Sequence, residues 1–177
     1  MILKLNALNL LDSLTSLLKD SDGKFTRSTM KEKSQKLIIN TDGGSRGNPG
    51  LAAIGIVFSN AKGEVLKRFG KTLGVKTNNE AEYEAVLFAL QKAKSLYGME
   101  KLSLFDVEVR MDSELIARQL NGEYKIEEER LWPYFMKIWN ILRDVENVTF
   151  RHVPREQNRA ADRMVNEALD QEQGKLL

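Results

Sequence analysis

The chain has no cysteine, a single histidine in 177 residues, and a formal net charge of only +2. Without cysteine there are no disulfides and no thiolate metal sites, so any metal must be held by oxygen ligands or by His152. The same absence fits a reducing cytoplasm. No apolar run is long enough to cross a bilayer. The leucine-rich start is interrupted by Lys4, Asn6, Asn9 and Asp12 and lacks the basic start and small-residue cleavage site of a secretory signal. Charge is scarce where it would matter for polyanions. Residues 1–36 hold seven Lys/Arg against four Asp/Glu, which leaves twenty basic against twenty-one acidic residues in the remainder. Binding to nucleic acid by phosphate neutralisation alone needs a strongly basic surface, so any such binding here must draw on geometry and metal.

What the chain does have is enough length and apolar content, 42% hydrophobic residues, for one domain with its own core plus an appendage. In residues 3–19, Leu3, Leu10, Leu14, Leu17 and Leu18 share a helical stripe. An amphipathic helix is expected there, packing on the main domain or pairing with a second copy. A polar linker follows through Gln35, so the boundaries are 1–35 for helix and linker and 36–177 for the main domain. From Lys36 the pattern predicts strands at 36–42, 51–59 and 64–73, the last two joined by a hairpin at Asn60-Ala61-Lys62-Gly63. A helix over 80–97, capped by the preceding Thr77-Asn78-Asn79 and ended by Gly98, comes next. Then come a strand at 105–111, a short helix ending at Asn121-Gly122, a helix over 131–143, a strand at 147–152 and a helix over 157–172. This order predicts an α/β fold, a mixed sheet flanked by helices. Trp132 and Trp139, seven apart on one predicted helix with Phe135 and Ile138 between them, are read as packing.

Four carboxylates stand at the junctions of these elements: Asp42, Glu82, Asp112 and Asp162. Gathered by the fold, four acids of this kind would hold divalent metal ions. Helical spacing alone does not choose Glu82 over Glu80 or Glu84, and Glu80 at the helix start also suits the helix dipole.

The segments around the acids are Thr41-Asp42-Gly43-Gly44-Ser45-Arg46-Gly47-Asn48-Pro49-Gly50, Thr77-Asn78-Asn79-Glu80-Ala81-Glu82, Met111-Asp112-Ser113 and Asn158-Arg159-Ala160-Ala161-Asp162. In this order they resemble the four motifs of type 1 ribonuclease H, over about residues 36–170. The resemblance implies a ribonuclease H-like fold with a five-stranded mixed sheet, here in a compact form without the basic protrusion and with an extra N-terminal helix. It implies endonucleolytic hydrolysis of the RNA strand of RNA/DNA hybrids to 5′-phosphate and 3′-hydroxyl ends, with two Mg²⁺ ions per site or Mn²⁺ as substitute. Asp42 would bridge both ions, Asp162 would serve the nucleophile side, and Glu82 and Asp112 the other; the position five residues after Thr77 selects Glu82. His152, ten residues before Asp162, matches a mobile catalytic histidine, although Pro154 stiffens its loop.

Gly43, Gly44, Asn48, Thr77, Asn78 and Asn79 match positions at the hybrid-binding surface, which must read 2′-hydroxyls. Glu114 stands where a neutral glutamine is usual. The stretch from Asn121 to Arg130 is acidic where other members carry a lysine-rich protrusion. In these features the chain resembles compact members whose substrate range can include RNA/RNA duplexes. The competing reading is a non-catalytic nucleic-acid-binding module on the same fold, which a complete set of four acids argues against.

Overall fold

The computed structural model describes residues 35–145 and 147–175. The expected helix over 3–19, and with it the appendage over 1–35 apart from Gln35, lies outside the described residues. β1 (Gln35–Gly47), β2 (Gly50–Asn60) and β3 (Val65–Lys76) form an antiparallel meander, followed by helix α1 (Asn78–Tyr97) and a single turn, α2 (Met99–Leu102). β4 (Phe105–Met111) then runs parallel to β1, and α3 (Glu114–Leu120), a 3₁₀ turn (Glu129–Leu131) and α4 (Trp132–Asp144) lead to β5 (Val148–His152), parallel to β4. α5 (Arg155–Lys175) closes the described chain. The five strands lie in the order β3-β2-β1-β4-β5, the mixed sheet expected from the sequence.

Local chemistry places most boundaries where the sequence put them. Thr77 caps α1 through a capping box: its side chain accepts from the Glu80 N–H, and the Glu80 carboxylate accepts from the Thr77 N–H at 3.0 Å. Ser113 caps α3 by accepting from the Ile116 N–H. At the β2–β3 hairpin, Asn60 accepts the Lys62 and Glu64 N–H groups on its side-chain oxygen.

The structure corrects three expectations. β1 does not end at Asp42 but continues to Gly47, because Gly43 and Gly44 pair with Ile54 and Ala53 as ordinary strand residues. The chain turns only at Gly47–Gly50, through a cis Asn48–Pro49 bond. α2 was not expected at all. The tryptophans are not packed: Trp132 and Trp139 are 49% and 47% exposed. The inward stripe of this region is Leu131, Ile138 and Val145, seven apart and nearly fully buried, and each tryptophan stands one residue, about 100° of helix, beyond it.

One core layer lies between the sheet and α1, where Leu37 and Ile39 of β1, Ile54, Ile56 and Phe58 of β2, and Val107, Val109 and Met111 of β4 meet Tyr83, Val86, Leu87 and Leu90. Burial of each large apolar side chain stabilises by about 1.5–3 kcal/mol. The opposite face carries a smaller layer, Ala53 against Val165, Ala168 and Leu169 of α5. Glycines set both helices at their distance from the strands. In the register row Asp42–Gly55–Gly70, a Cβ on Gly55 would lie 2.0 Å from the Ala161 carbonyl oxygen and one on Gly70 2.8 Å from that of Met164. On the α1 face, a Cβ on Gly43 would lie 2.2 Å from the Ala81 carbonyl carbon. Both helices therefore rest on bare strand backbone beside Asp42.

Candidate active site

Parallel pairing of β1 with β4 brings the first two acids together. Asn40 pairs with Arg110, so Asp42 and Asp112 each lie two residues beyond the same rung. The third acid arrives with α1, whose start is pressed against Gly43, and Glu82 follows directly on the Ala81 carbonyl at that contact. One carboxylate oxygen from each of Asp42, Glu82 and Asp112 lies within 4.8 Å of the others. Glu80, by contrast, is committed to the cap. Burial opposes its ionisation, but hydrogen bonds from Thr77 and the charge of Lys76 hold its carboxyl below the usual range. Position in the helix thus separates the acids that spacing alone left equivalent.

Asn158 fastens the cluster from behind. It is fully buried, donates to the Thr41 carbonyl at 2.9 Å and to Asp112 Oδ1 at 3.2 Å, and accepts from Asn40 Nδ2 at 3.0 Å. Thr41 Oγ1 in turn donates to the Arg110 carbonyl at 3.2 Å, across β1 and β4. Asn158 stood in the fourth motif without an assigned role; its place four residues, one helical turn, before Asp162 was the available signal.

The cluster is short of positive charge. Burial, together with the charges of Asp112 and Asp162, pushes the Asp42 carboxyl up to about 7, against the opposing effects of Arg155 and the Gly43 N–H. Burial and the charges of Asp42 and Asp112 push Glu82 well above the usual carboxylate range. Among the described residues, none of the three acids forms an ion pair. Three crowded carboxylates with no ion-pair partner among the described residues are the donor set that suits a hard divalent cation, and Asp42, Glu82 and Asp112 would hold it.

Asp162 lines the same cleft, of about 320 Å³, but is held differently. Arg155 Nη2 donates to its Oδ1 at 2.9 Å, and Asn166 Nδ2 donates to its Oδ2 at 3.2 Å. Arg155 also lines the cleft; in sequence it follows Pro154 directly, and nothing in its spacing marks it. His152 is exposed at the end of β5 and is not among the residues lining the cleft.

The expected substrate-binding residues are tied to one another. Asn48 Oδ1 accepts the Asn78 N–H at 3.0 Å, and Asn78 Oδ1 accepts both the N–H and the hydroxyl of Ser45 at 2.9 and 2.7 Å. These bonds lock the β1–β2 turn to the start of α1. Gly43, Gly44 and Asn78 line the cleft, whereas Asn48, Thr77 and Asn79 stand outside its lining. Asn79 Nδ2 donates to Glu128 of the acidic loop at 2.8 Å. Glu114 is paired with Arg118 one turn along α3, at 2.7 Å.

Comparison with known proteins agrees with this geometry. Residues 40–168 match a family model described as reverse transcriptase-like. The chain is 39% identical over 129 residues to a ribonuclease HI of Halobacterium salinarum, covering 73% of this chain and 62% of that one. It is 34% identical over 136 residues to a bifunctional protein of Mycobacterium tuberculosis, covering 76% of this chain and 36% of that one. The chain therefore spans less than two thirds of the length of these relatives. A crystal structure of LC11-RNase H1 in complex with RNA/DNA hybrid superposes with a TM-score of 0.74 at 48% identity, covering 77% of this chain and 98% of that one.

Proposed function

The chain belongs to the ribonuclease H family, and we propose that it is an endonuclease that hydrolyses the RNA strand of RNA/DNA hybrids, leaving 5′-phosphate and 3′-hydroxyl ends. The observation that carries this reading is the convergence of Asp42, Glu82 and Asp112 within 4.8 Å, with Asp162 on the same cleft. The related LC11 enzyme, crystallised with such a hybrid, supports the choice of substrate.

Two Mg²⁺ ions, or Mn²⁺ in their place, are the proposed cofactors; when bound they neutralise charge on the scissile phosphate and activate the attacking water. The chain's own groups do the rest. Asp42, Glu82 and Asp112 are fixed by backbone contacts and by Asn158, so the ligand oxygens are in place before substrate arrives. Asp162 presents a carboxylate at the cleft whose two oxygens are oriented by Arg155 and Asn166. Asn78, with Asn48 and Asn79 beside it and Thr77 at the helix start, offers short polar side chains to the minor groove, where 2′-hydroxyls distinguish RNA from DNA.

The test is cleavage of end-labelled RNA/DNA, RNA/RNA and single-stranded RNA by the wild type and Asp42→Asn, with Mg²⁺, Mn²⁺ or chelator. Metal-dependent cuts in the RNA strand of the hybrid, lost in the variant, are expected, and cuts in RNA/RNA would widen the substrate class. Hybrid binding with no cleavage under any metal would establish the binding-module reading instead. We propose self-association through the leucine-striped segment, with its own test: deletion of residues 1–30 must lower the number of copies per particle, taken from the light-scattering mass divided by the chain mass.

A further inference from the structure

The cleft has a second fixed feature besides its acids. Arg46 lies on β1 four residues beyond Asp42 and therefore on the same face of the strand, about 13 Å further along it at the usual strand rise. α5 runs beside this stretch: Asn158 meets Thr41, Val165 approaches Gly44, and Asp170 and Gln173 meet Arg46. The cleft is thus a channel with the carboxylates at one end and a guanidinium at the other. Arg46 and Arg155 are the cationic residues lining it, and Arg155 is engaged by Asp162.

Arg46 Nη1 donates to Gln173 Oε1 and Nη2 to Asp170 Oδ1. A guanidinium has five N–H donors, so these two bonds orient the group and leave the remaining donors for a ligand. An ion pair this exposed, with Asp170 at 68% and Arg46 at 36% side-chain exposure, contributes little to stability. Its effect is to hold the fork in place at the rim.

Resting on the reading of the chain as a hybrid nuclease, we infer that Arg46 is a substrate-binding residue that grips a phosphodiester of the bound strand beyond the scissile one. The planar fork matches phosphate oxygens. It supplies positive charge to a cleft whose other cation, Arg155, is already paired with Asp162. Contact with phosphate reads no base, so the grip adds affinity without sequence preference. Asp170 and Gln173 act through Arg46 as positioning residues.

The experiment measures KM and kcat for cleavage of a labelled RNA/DNA hybrid over a salt series, for the wild type, Arg46→Ala, Arg46→Lys and Asp170→Ala. Anisotropy of the same hybrid bound in chelator is followed in parallel. Arg46→Ala is expected to raise KM by roughly tenfold with kcat within about twofold. It should also flatten the slope of log KM against log salt by about 0.9, the share of one phosphate contact. Arg46→Lys keeps the charge, and so the slope, but not the fork, so its KM lies between. Asp170→Ala leaves the slope unchanged. Equal effects of Arg46→Ala and Asp170→Ala, or a lowered melting temperature with an unmoved slope, would overturn the inference and leave only an ion pair. Absence of cleavage by the wild type would count against the nuclease reading alone, because the anisotropy series still reports on Arg46.

Discussion

The three inner carboxylates and Asp162 share one cleft, yet the protein holds them by different means. Asp42, Glu82 and Asp112 are fixed mainly by backbone, two residues beyond a common sheet rung and on a helix pressed onto Gly43, with the uncharged side-chain amide of Asn158 behind Asp112. They carry no ion pair among the described residues, and two of them are pushed toward the protonated form. Asp162 is held by side chains, Arg155 and Asn166, one of them a cation. The fold therefore keeps an uncompensated charge deficit at one point and neutralises its neighbour. On that contrast we propose the inner triad as the cation site and Asp162 as a group whose position depends on Arg155.

The largest effect should come from removing the centre of the triad. Asp42→Asn is expected to lower hybrid cleavage by about a thousandfold or more, ~4 kcal/mol of transition-state stabilisation, while raising the melting temperature of the metal-free protein at pH 8. The sign follows from linkage. The folded protein keeps Asp42 protonated up to about pH 7, whereas the unfolded chain releases that proton near 3.8. In this window the folded state binds more protons, so stability in chelator falls as pH rises from about 4 to about 7. Thermal melts of wild type and variant across that range check it, and parallel curves would break the contrast.

Gly43→Ala should come next. Its Cβ would fall on the α1 backbone, which has no side chain to swing away. We expect destabilisation of about 1–3 kcal/mol and a loss of cleavage near a hundredfold from displacement of Glu82, read by denaturant unfolding and by kcat.

A smaller effect, about tenfold in kcat, is expected of Asp162→Asn, since an amide keeps an acceptor for Arg155. Arg155→Ala should match it, and a double-mutant cycle should show the two losses to be non-additive. If Asp162→Asn proved as damaging as Asp42→Asn, the division into inner triad and outer acid would fail. Smallest of all, His152→Ala should leave kcat well short of the roughly hundredfold loss expected of a general acid–base residue, because His152 stands outside the cleft lining.

Much of this was legible in the sequence where local chemistry decides it. The Thr77 cap, the Asn60 hairpin and the strand at Phe105–Met111 appear where their residues put them. The four acids were also legible, because each stands in its own short motif. What stayed hidden depends on tertiary distance. Glycine after Asp42 reads as a turn, but here it serves as flat backbone for a helix to rest on, and the strand continues. The tryptophans share a helix with buried residues, and only the placement of α4 reveals that Leu131 and Ile138 face inward instead. Arg155 and Arg46 look like ordinary surface cations in sequence; the cleft they line is formed by elements far apart in the chain.

The most direct measurement is calorimetric titration of Mg²⁺ at pH 8 into chelator-stripped wild type, Asp42→Asn and Asp162→Asn. Binding is expected to the wild type and to Asp162→Asn, and none to Asp42→Asn. At pH 6.5 the heats should also vary with buffer ionisation enthalpy, as the cation displaces protons from Asp42 and Glu82. Binding abolished as completely by Asp162→Asn as by Asp42→Asn, or no binding to the wild type, would contradict the inner triad as the cation site.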